Sequence, residues 1–138
     1  MNHTVKAIAL VVPMLLIASP EAFAQKFSFT FEWGDIPSCN TGSPNVVPNP
    51  IFKLKNVPKG TKFIEFQMND LDAPSYSHGG GTVPYSGEDV IKPGGFTYES
   101  PCPPGRVHTY EWTANTKEED GFFSSSTAEA TAKRKYPE

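Results

Sequence analysis

The chain has 138 residues and a formal net charge of −3 at pH 7. A chain of this length fits one ordinary domain with one hydrophobic core, whereas two domains would each be too small. The mildly acidic balance disfavours nucleic-acid binding, because it offers no basic surface for phosphates. The short basic run Lys133-Arg134-Lys135 is better explained as a solvated strand end or tail than as a binding patch.

Residues 1–24 have the layout of a cleavable secretory signal peptide. Lys6 supplies a positive charge, an apolar run from Ala7 to Ala18 follows, and an Ala-Phe-Ala sequence ends at Ala24 before the expected cut. The apolar run is too short to span a bilayer as a helix, which takes about 20 residues. We therefore predict an exported protein, periplasmic or secreted, with no transmembrane anchor and a single mature domain of residues 25–138.

Cys39 and Cys102 are the only cysteines, and both lie in the predicted mature chain. In an oxidising compartment an even pair is most simply interpreted as one disulfide bond. Such a bond closes a long loop and contributes roughly 4 kcal/mol in the chain-entropy model. The alternative is a reactive thiol, but the Cys-x-x-Cys spacing typical of redox and zinc sites is absent.

Strict alternation of apolar and polar residues predicts several short strands. In the first of them, Lys26 to Trp33, three phenylalanines and a tryptophan share one face. Turn-forming prolines and glycines separate the later candidates. These further strands are predicted at Ile51 to Lys55, Thr61 to Asn69, Gly81 to Tyr85, Gly95 to Glu99 and Val107 to Ala114.

Two segments have less regular patterns. Between Asp35 and Pro50 several prolines interrupt backbone hydrogen bonding, so we expect a long ordered loop that the disulfide pins at Cys39. The alanines of Ser126 to Tyr136 suit a helix, but they alternate with polar residues, which favours a strand. The whole pattern predicts an all-β fold, an antiparallel β-sandwich or partly open barrel, with little helix in the mature chain.

Residues that can carry chemistry lie in three segments, which we expect to meet at one rim of the fold. Asp70 and Asp72 directly follow a predicted strand, spaced so that both carboxylates can point the same way. His78 precedes three glycines, and glycine-rich backbone can turn N–H groups toward an anion. The stiff segment Pro101 to Gly105 leads to His108, the second histidine of the predicted mature chain.

In these segments the sequence resembles the phosphatidylethanolamine-binding protein (PEBP) family, particularly its bacterial members that are similar to the Raf kinase inhibitor protein. The order and spacing of three stretches make the resemblance specific, and together they span about half of the chain. These stretches are Phe52 to Thr61, the Asp-x-Asp-x-Pro motif at Asp70 to Pro74, and Pro101-Cys102-Pro103-Pro104-Gly105 followed by His108 and Tyr110.

The resemblance implies a compact β-sandwich with a small surface pocket for phosphate, phospholipid head groups or similar anions. The candidate ligand-binding residues are Asp70, Asp72, Pro74, His78, Pro101, Gly105 and His108. The sequence departs from the family pattern at His78, because the family's second pocket histidine usually precedes a tryptophan on a later strand. Leu71 also replaces a frequent proline, so we expect a reshaped pocket.

Carboxylates that line an anion site need a physical explanation, because they repel phosphate. A carboxylate within hydrogen-bond reach of a histidine favours the imidazolium form and fixes its orientation. We therefore expect the two histidines to contact the anion and the two aspartates to orient them. Alternatively, a free carboxylate can receive the ammonium of an ethanolamine group. The backbone N–H groups expected to complete the shell are those near Gly79, Gly80 and Gly105.

Simpler explanations exist for each of these residues. His108 can be a packed core histidine among aromatic neighbours, and His78 can be a solvent-exposed loop residue. The aspartates can cap a turn before proline. Arg106 can be a phosphate clamp, although an exposed loop arginine is the commoner case.

Three classes of function remain, in order of preference. The first is a non-catalytic exported protein that binds a small anionic ligand or a phospholipid head group, without a cofactor. The second is an interaction or inhibitor protein that acts on a protein partner through its proline-rich loops. The third is a metal-dependent hydrolase, for which the sequence offers no nucleophile motif and no closely spaced metal ligands.

Overall fold

The computed structural model of the protein describes residues 25–138. The predicted signal peptide, residues 1–24, lies outside the described residues. The described part contains nine strands and no α-helix. Accordingly, residues 25–138 hold no helix that is long and apolar enough to cross a membrane.

Every strand predicted from the alternating pattern is present, with its ends shifted by a few residues. The alanine-rich segment near the C-terminus is a strand, as its alternation favours. The prediction of an all-β fold is confirmed. The strands are β1 (Ser28–Glu32), β2 (Val46–Pro48), β3 (Ile51–Lys55), β4 (Phe63–Asp70), β5 (Ser77–Pro84), β6 (Val90–Ile91), β7 (Thr97–Glu99), β8 (His108–Lys117) and β9 (Ser126–Tyr136).

The structure corrects two local expectations. The stretch from Asp35 to Pro50 is not a loop throughout, because β2 lies within it and pairs with β7. The strand predicted from Gly81 begins earlier, at Ser77, so all three glycines after His78 are part of β5. A Cβ atom at Gly80 would lie 1.9 Å from the carbonyl oxygen of Phe66, so the absence of a side chain permits close strand packing. The two-residue strand β6 also has no counterpart among the predicted elements.

The strands form three antiparallel sheets with the orders β1-β3-β6, β2-β7 and β5-β4-β8-β9. Phe52 of β3 stacks on Phe66 of β4 with ring centroids 4.0 Å apart, so the first and third sheets pack against each other. Trp112 of β8 lies edge-on to Phe52 at 5.3 Å. All three side chains are fully buried. Aromatic side chains bury roughly 150–250 Å² each, which makes this cluster the centre of the core.

The register of the four-stranded sheet determines where the candidate residues lie. Asp70, the last residue of β4, pairs with Tyr110 near the start of β8. His108 begins β8 and pairs with Tyr136, the last residue of β9. Asp70 and His108 therefore lie at one end of this sheet, whereas residues 118–125, which connect β8 to β9, lie at the opposite end.

Asn49 joins the β2–β3 connection to the β6–β7 connection, and it is 1% exposed. Its side-chain oxygen accepts hydrogen bonds from the three consecutive backbone N–H groups of residues 94–96, at 2.8 to 3.2 Å. Its side-chain nitrogen donates to the carbonyl oxygens of Pro50 and Lys92 at 2.8 and 3.1 Å. One buried amide thus satisfies five backbone groups that no strand ladder reaches.

We predict that Asn49→Ala lowers the free energy of unfolding by about 3 kcal/mol, because it leaves several buried backbone groups without partners. Chemical denaturation with the disulfide intact measures the loss. Asn40→Ala is the matched control, since Asn40 is exposed and its replacement should cost no more than about 0.5 kcal/mol. Equal losses in the two variants would show that Asn49 does not hold these connections.

Candidate functional site

A cavity of about 140 Å³ lies at the end of the four-stranded sheet that carries Asp70 and His108. Most of its wall is apolar, and its polar side chains are one carboxylate, two imidazoles and two phenols. The lining residues are Gly42, Pro44, Asp70, Ala73, Tyr76, His78, Cys102, Pro103, Pro104, His108 and Tyr110. The cavity thus combines both histidines of the described chain with one of the two candidate aspartates.

Asp70 is the buried centre of the polar wall, with 3% of its surface exposed. Its Oδ1 atom accepts hydrogen bonds from the backbone N–H groups of Asp72 and Ala73 at 2.9 and 3.1 Å. Its Oδ2 atom lies 2.6 Å from Nδ1 of His108. Because an ionised carboxylate only accepts hydrogen bonds, Nδ1 of His108 carries the proton. The contact therefore fixes both the tautomer and the orientation of this imidazole.

The opposite nitrogen of the His108 ring, Nε2, has no partner. It is buried and makes no hydrogen bond within residues 25–138. A buried polar atom in this state costs roughly 1–3 kcal/mol, and folded proteins contain few of them. His108 is also one of the residues that line the cavity.

His78 reaches the same cavity from the start of β5, and it is 3% exposed. It is therefore not the solvent-exposed loop residue that the glycine-rich sequence also allowed. Its Nδ1 atom lies 2.8 Å from the backbone carbonyl oxygen of Glu99. A carbonyl oxygen only accepts, so this nitrogen also carries a proton. Both histidines are thus held by the protein through Nδ1, which leaves Nε2 for other contacts.

Tyr110 packs beside both imidazoles, with ring centroids 5.4 Å from His78 and 6.2 Å from His108. Burial raises the pKa of its phenol, and the nearby Asp70 carboxylate raises it further. The hydroxyl therefore stays protonated over the physiological range. Tyr110 belongs to the motif that resembles the PEBP family, and the structure places it in the cavity wall.

Tyr76 forms the more exposed side of the cavity. Its ring lies edge-on to His78 at 4.7 Å. Its hydroxyl donates a hydrogen bond to the Glu99 carboxylate, and this bond is the main reason why the pKa of Tyr76 is raised. Because Glu99 also accepts from His78 through its backbone, one residue of β7 positions two groups of the wall.

The predicted disulfide between Cys39 and Cys102 is present, with Cα atoms 4.6 Å apart. It ties the 35–45 loop to the segment that precedes β8. The backbone N–H of Gly42 donates to the carbonyl oxygen of Cys102 at 3.1 Å. The N–H of Thr41 donates to Sγ of Cys102 at 3.4 Å. These contacts hold Gly42 and Pro44 as one wall of the cavity.

Four of the seven candidate residues lie beside the cavity rather than in its wall. Asp72 is exposed, and its Oδ2 atom accepts a hydrogen bond from the backbone N–H of Thr109 at 2.7 Å. It therefore braces the turn after β4 against β8. Pro74 is exposed in that turn. Arg106, which the sequence also allowed as a phosphate clamp, is exposed before β8 and does not line the cavity.

The segment from Pro101 to Gly105 supplies rigid backbone rather than hydrogen-bond donors to the cavity. Pro101 is fully buried. The N–H of Gly105 donates to the carbonyl oxygen of Asn40 at 3.1 Å, so it is already used. Gly79 and Gly80 line a different groove beside β7. In this geometry the expected shell of glycine N–H groups does not face the cavity.

A metal ion is the other ligand that carboxylates and imidazole suggest. Ligand atoms of Asp70, Asp72 and His108 lie within 4.8 Å of one another. However, both oxygens of Asp70 and one oxygen of Asp72 already accept hydrogen bonds from the protein. These hydrogen bonds hold the three residues together as part of the turn after β4.

Several residues that line the cavity could not be identified as site residues from the local sequence pattern. Gly42 and Pro44 lie about 60 residues from the motif that they face, and the cysteine pairing was the one feature that could have placed them there. Tyr76 follows the Asp-x-Asp-x-Pro motif, but only the turn of the backbone shows that it faces His78.

A solved structure shares this architecture. A phosphatidylethanolamine-binding protein homologue from Chlamydia trachomatis superposes with a TM-score of 0.50, over 82% of this chain and 98% of that chain, at 15% sequence identity. The chain has a PEBP-type fold. The fold that the sequence resemblance implied is therefore confirmed. No family model and no curated protein matches the chain.

We predict that the double variant Cys39→Ser with Cys102→Ser is less stable by roughly 4 kcal/mol, because the disulfide restricts a long loop in the unfolded chain. Its cavity wall should also loosen, since Gly42 and Pro44 lose their anchor. Chemical denaturation measures the first effect, and amide hydrogen exchange of residues 40–45 measures the second. Native-like protection of this loop in the double variant would contradict the structural role of the bond.

Proposed function

We propose that the protein is an exported, non-catalytic binding protein whose cavity holds a small anion, such as phosphate or the phosphorylated head group of a lipid. The observation that carries this proposal is that His108 lines the cavity and that its buried Nε2 atom has no hydrogen-bond partner among residues 25–138. The PEBP-type fold supports a role in ligand binding. The signal-peptide layout of residues 1–24 and the disulfide support export.

The imidazoles are the source of positive charge in this site. No lysine or arginine is among the cavity-lining residues. Protonation of His108 at Nε2 turns this atom into a charged donor, while Asp70 holds Nδ1 and balances the added charge. When protonated, His78 can also become a charged donor at Nε2, while the carbonyl oxygen of Glu99 holds its Nδ1 atom. In this mechanism, the two imidazoles offer N–H groups to the anion without a permanent cation in the wall.

The size and the chemistry of the cavity both limit the ligand. About 140 Å³ is smaller than the roughly 300–1,000 Å³ of pockets for drug-sized ligands. A phosphate group fits this volume, whereas a whole phospholipid does not. The apolar residues Ala73, Pro103 and Pro104 can pack against the short carbon chain of a head group.

We predict that His108→Ala weakens phosphate and phosphoethanolamine binding about tenfold or more, a loss of about 1.4 kcal/mol, because it removes the central donor. NMR titration of the purified protein measures affinity and locates the site. Thr113→Ala is the matched control, since this residue lies on the opposite face of β8 and outside the cavity. Unchanged affinity in a folded His108→Ala protein, or shifts away from the cavity, would refute the proposal.

Anion affinity should fall as pH rises through the range in which imidazolium loses its proton, because neutral His108 presents a lone pair at Nε2. Sulfate is the better probe here, since phosphate changes its own charge near neutral pH. Calorimetric titration with sulfate from mildly acidic to alkaline pH measures the effect. An affinity that stays constant over this range would exclude the imidazolium mechanism.

Asp70→Asn gives a sharper test of that mechanism. Its Oδ1 atom must keep accepting from Asp72 and Ala73, so the amide nitrogen faces His108. His108 must then accept at Nδ1, and its neutral form carries the proton at Nε2. We predict that nitrogen NMR shifts of His108 report this tautomer and that the pH dependence of sulfate binding becomes weaker. Retention of the Nδ1–H tautomer would contradict the assigned role of Asp70.

A further inference from the structure

The connection between β8 and β9 exposes two adjacent phenylalanines. Phe122 and Phe123 are 93% and 95% exposed, whereas every other phenylalanine of residues 25–138 is buried or half-buried. The next most exposed aromatic side chain in this part of the chain is Tyr76, at 40%. We call residues 118–125 the tip. An enzyme that recognises an aromatic side chain can therefore reach one at the tip without opening the core.

Few hydrogen bonds hold the tip in its folded conformation. The backbone N–H of Ser124 donates to the carbonyl oxygen of Gly121 at 3.2 Å, and the hydroxyl of Ser124 donates to the same oxygen at 2.7 Å. The ladder between β8 and β9 ends at the pair of Lys117 and Ser126, where its register is irregular. Exposed segments with few backbone hydrogen bonds open locally at a low free energy. The tip can therefore adopt the extended conformation that the cleft of an endopeptidase binds.

Side chains at the base of the tip limit how far this opening spreads. The hydroxyl oxygens of Thr116 and Thr127 lie 2.8 Å apart, and the hydroxyl of Thr127 donates to the carbonyl oxygen of Thr116 at 3.2 Å. The ammonium of Lys117 lies 2.7 Å from the Glu65 carboxylate on β4. The ends of β8 and β9 thus stay in the sheet when the tip opens.

The competing residues for such an enzyme are held more firmly. Tyr76 donates its backbone N–H to the carbonyl oxygen of Ala73 at 3.0 Å and its hydroxyl to the Glu99 carboxylate. Leu71 is 42% exposed, and its N–H donates to the carbonyl oxygen of Thr109 at 2.9 Å. Cleavage after either residue requires the turn after β4 to leave the sheet. Exposure and local hydrogen bonding therefore both favour the tip.

We propose that the tip is a cleavage site for an endopeptidase that prefers an aromatic residue on the acyl side of the bond it cuts, and that the cleaved protein remains a folded complex of two fragments. The reaction breaks the C–N bond after Phe122 or Phe123 and consumes one water molecule. The carbonyl carbon gains the hydroxyl group and the nitrogen gains the proton. The products are a new carboxylate on the first fragment and a new ammonium on the second. Exposed loop tips are the preferred places for such cuts in folded proteins.

The folded state should survive because the second fragment contains all of β9. The ladder to β8 reaches Tyr136, and the Trp33 indole N–H donates to the carbonyl oxygen of Lys135 at 3.3 Å. The hydroxyl of Tyr136 also accepts from the backbone N–H of Cys39 at 3.2 Å. The disulfide joins two cysteines of the first fragment, so only noncovalent contacts hold the second one. The stability of the cleaved protein therefore depends on its concentration.

Brief digestion of the purified, folded protein with chymotrypsin tests the proposal, and mass spectrometry locates the first cut. We expect a second fragment that begins at Phe123 or Ser124. The two fragments should elute together on native size-exclusion chromatography and separate in denaturant. Phe122→Ser with Phe123→Ser should slow the first cut by roughly tenfold or more, because it removes the side chains that the enzyme selects. Ser125→Ala is the control, since it changes the tip but keeps both phenylalanines.

Several results would overturn the proposal. A first cut after Leu71 or Tyr76 would show that the tip is not the preferred site. An unchanged cleavage rate in the double variant would show that the two phenylalanines do not select the enzyme. Resistance of the folded wild-type protein, at a chymotrypsin concentration that digests the denatured chain, would show that the tip does not open. Separation of the fragments under native conditions would contradict the two-fragment complex.

Discussion

The hydrogen bonds of the buried Asp70 connect the end of β4 to the turn that follows it and to the start of β8. Its carboxylate closes the turn after β4 through the N–H groups of Asp72 and Ala73, and it fixes His108 at the start of β8. A buried carboxylate is tolerated only when donors surround it, so this turn and this strand end must form together. The position of Tyr110 follows from the same constraint, because it pairs with Asp70 across the sheet.

The fold explains why the alternating pattern and the Asp-x-Asp-x-Pro motif were the most informative features of the sequence. Alternation predicted β1, β4 and β8 because each strand has one face in an aromatic core and one face toward solvent. The Asp-x-Asp-x-Pro motif predicted that carboxylates end a strand, and the structure divides their roles: Asp70 faces the cavity, whereas Asp72 braces Thr109 from outside. An alternating spacing of two residues places side chains on one side of a strand, but the chain turns immediately after Asp70 and that rule no longer applies.

Long-range packing sets the features that the sequence could not predict. Gly80 is a glycine because the backbone of Phe66 approaches it, which the sequence alone cannot distinguish from a turn. The side chain of Asn49 replaces strand hydrogen bonds for a segment more than 40 residues away. The wall of Gly42 and Pro44 depends on the pairing of Cys39 with Cys102. In each case the partner is distant in sequence, so local patterns carry no information about it.

In the cavity wall, the buried carboxylate of Asp70 is paired with a histidine rather than with a lysine or an arginine. A permanent cation beside Asp70 would form a closed ion pair and leave little net attraction for an anion. Histidine in that position keeps its bond to Asp70 at Nδ1 in either protonation state, while the charge at Nε2 depends on pH and on the ligand. In the proposed mechanism, the contact between Asp70 and His108 can therefore persist with or without a bound anion. In the proposed mechanism, the buried carboxylate thus stabilises the charged donor instead of competing with the ligand for it.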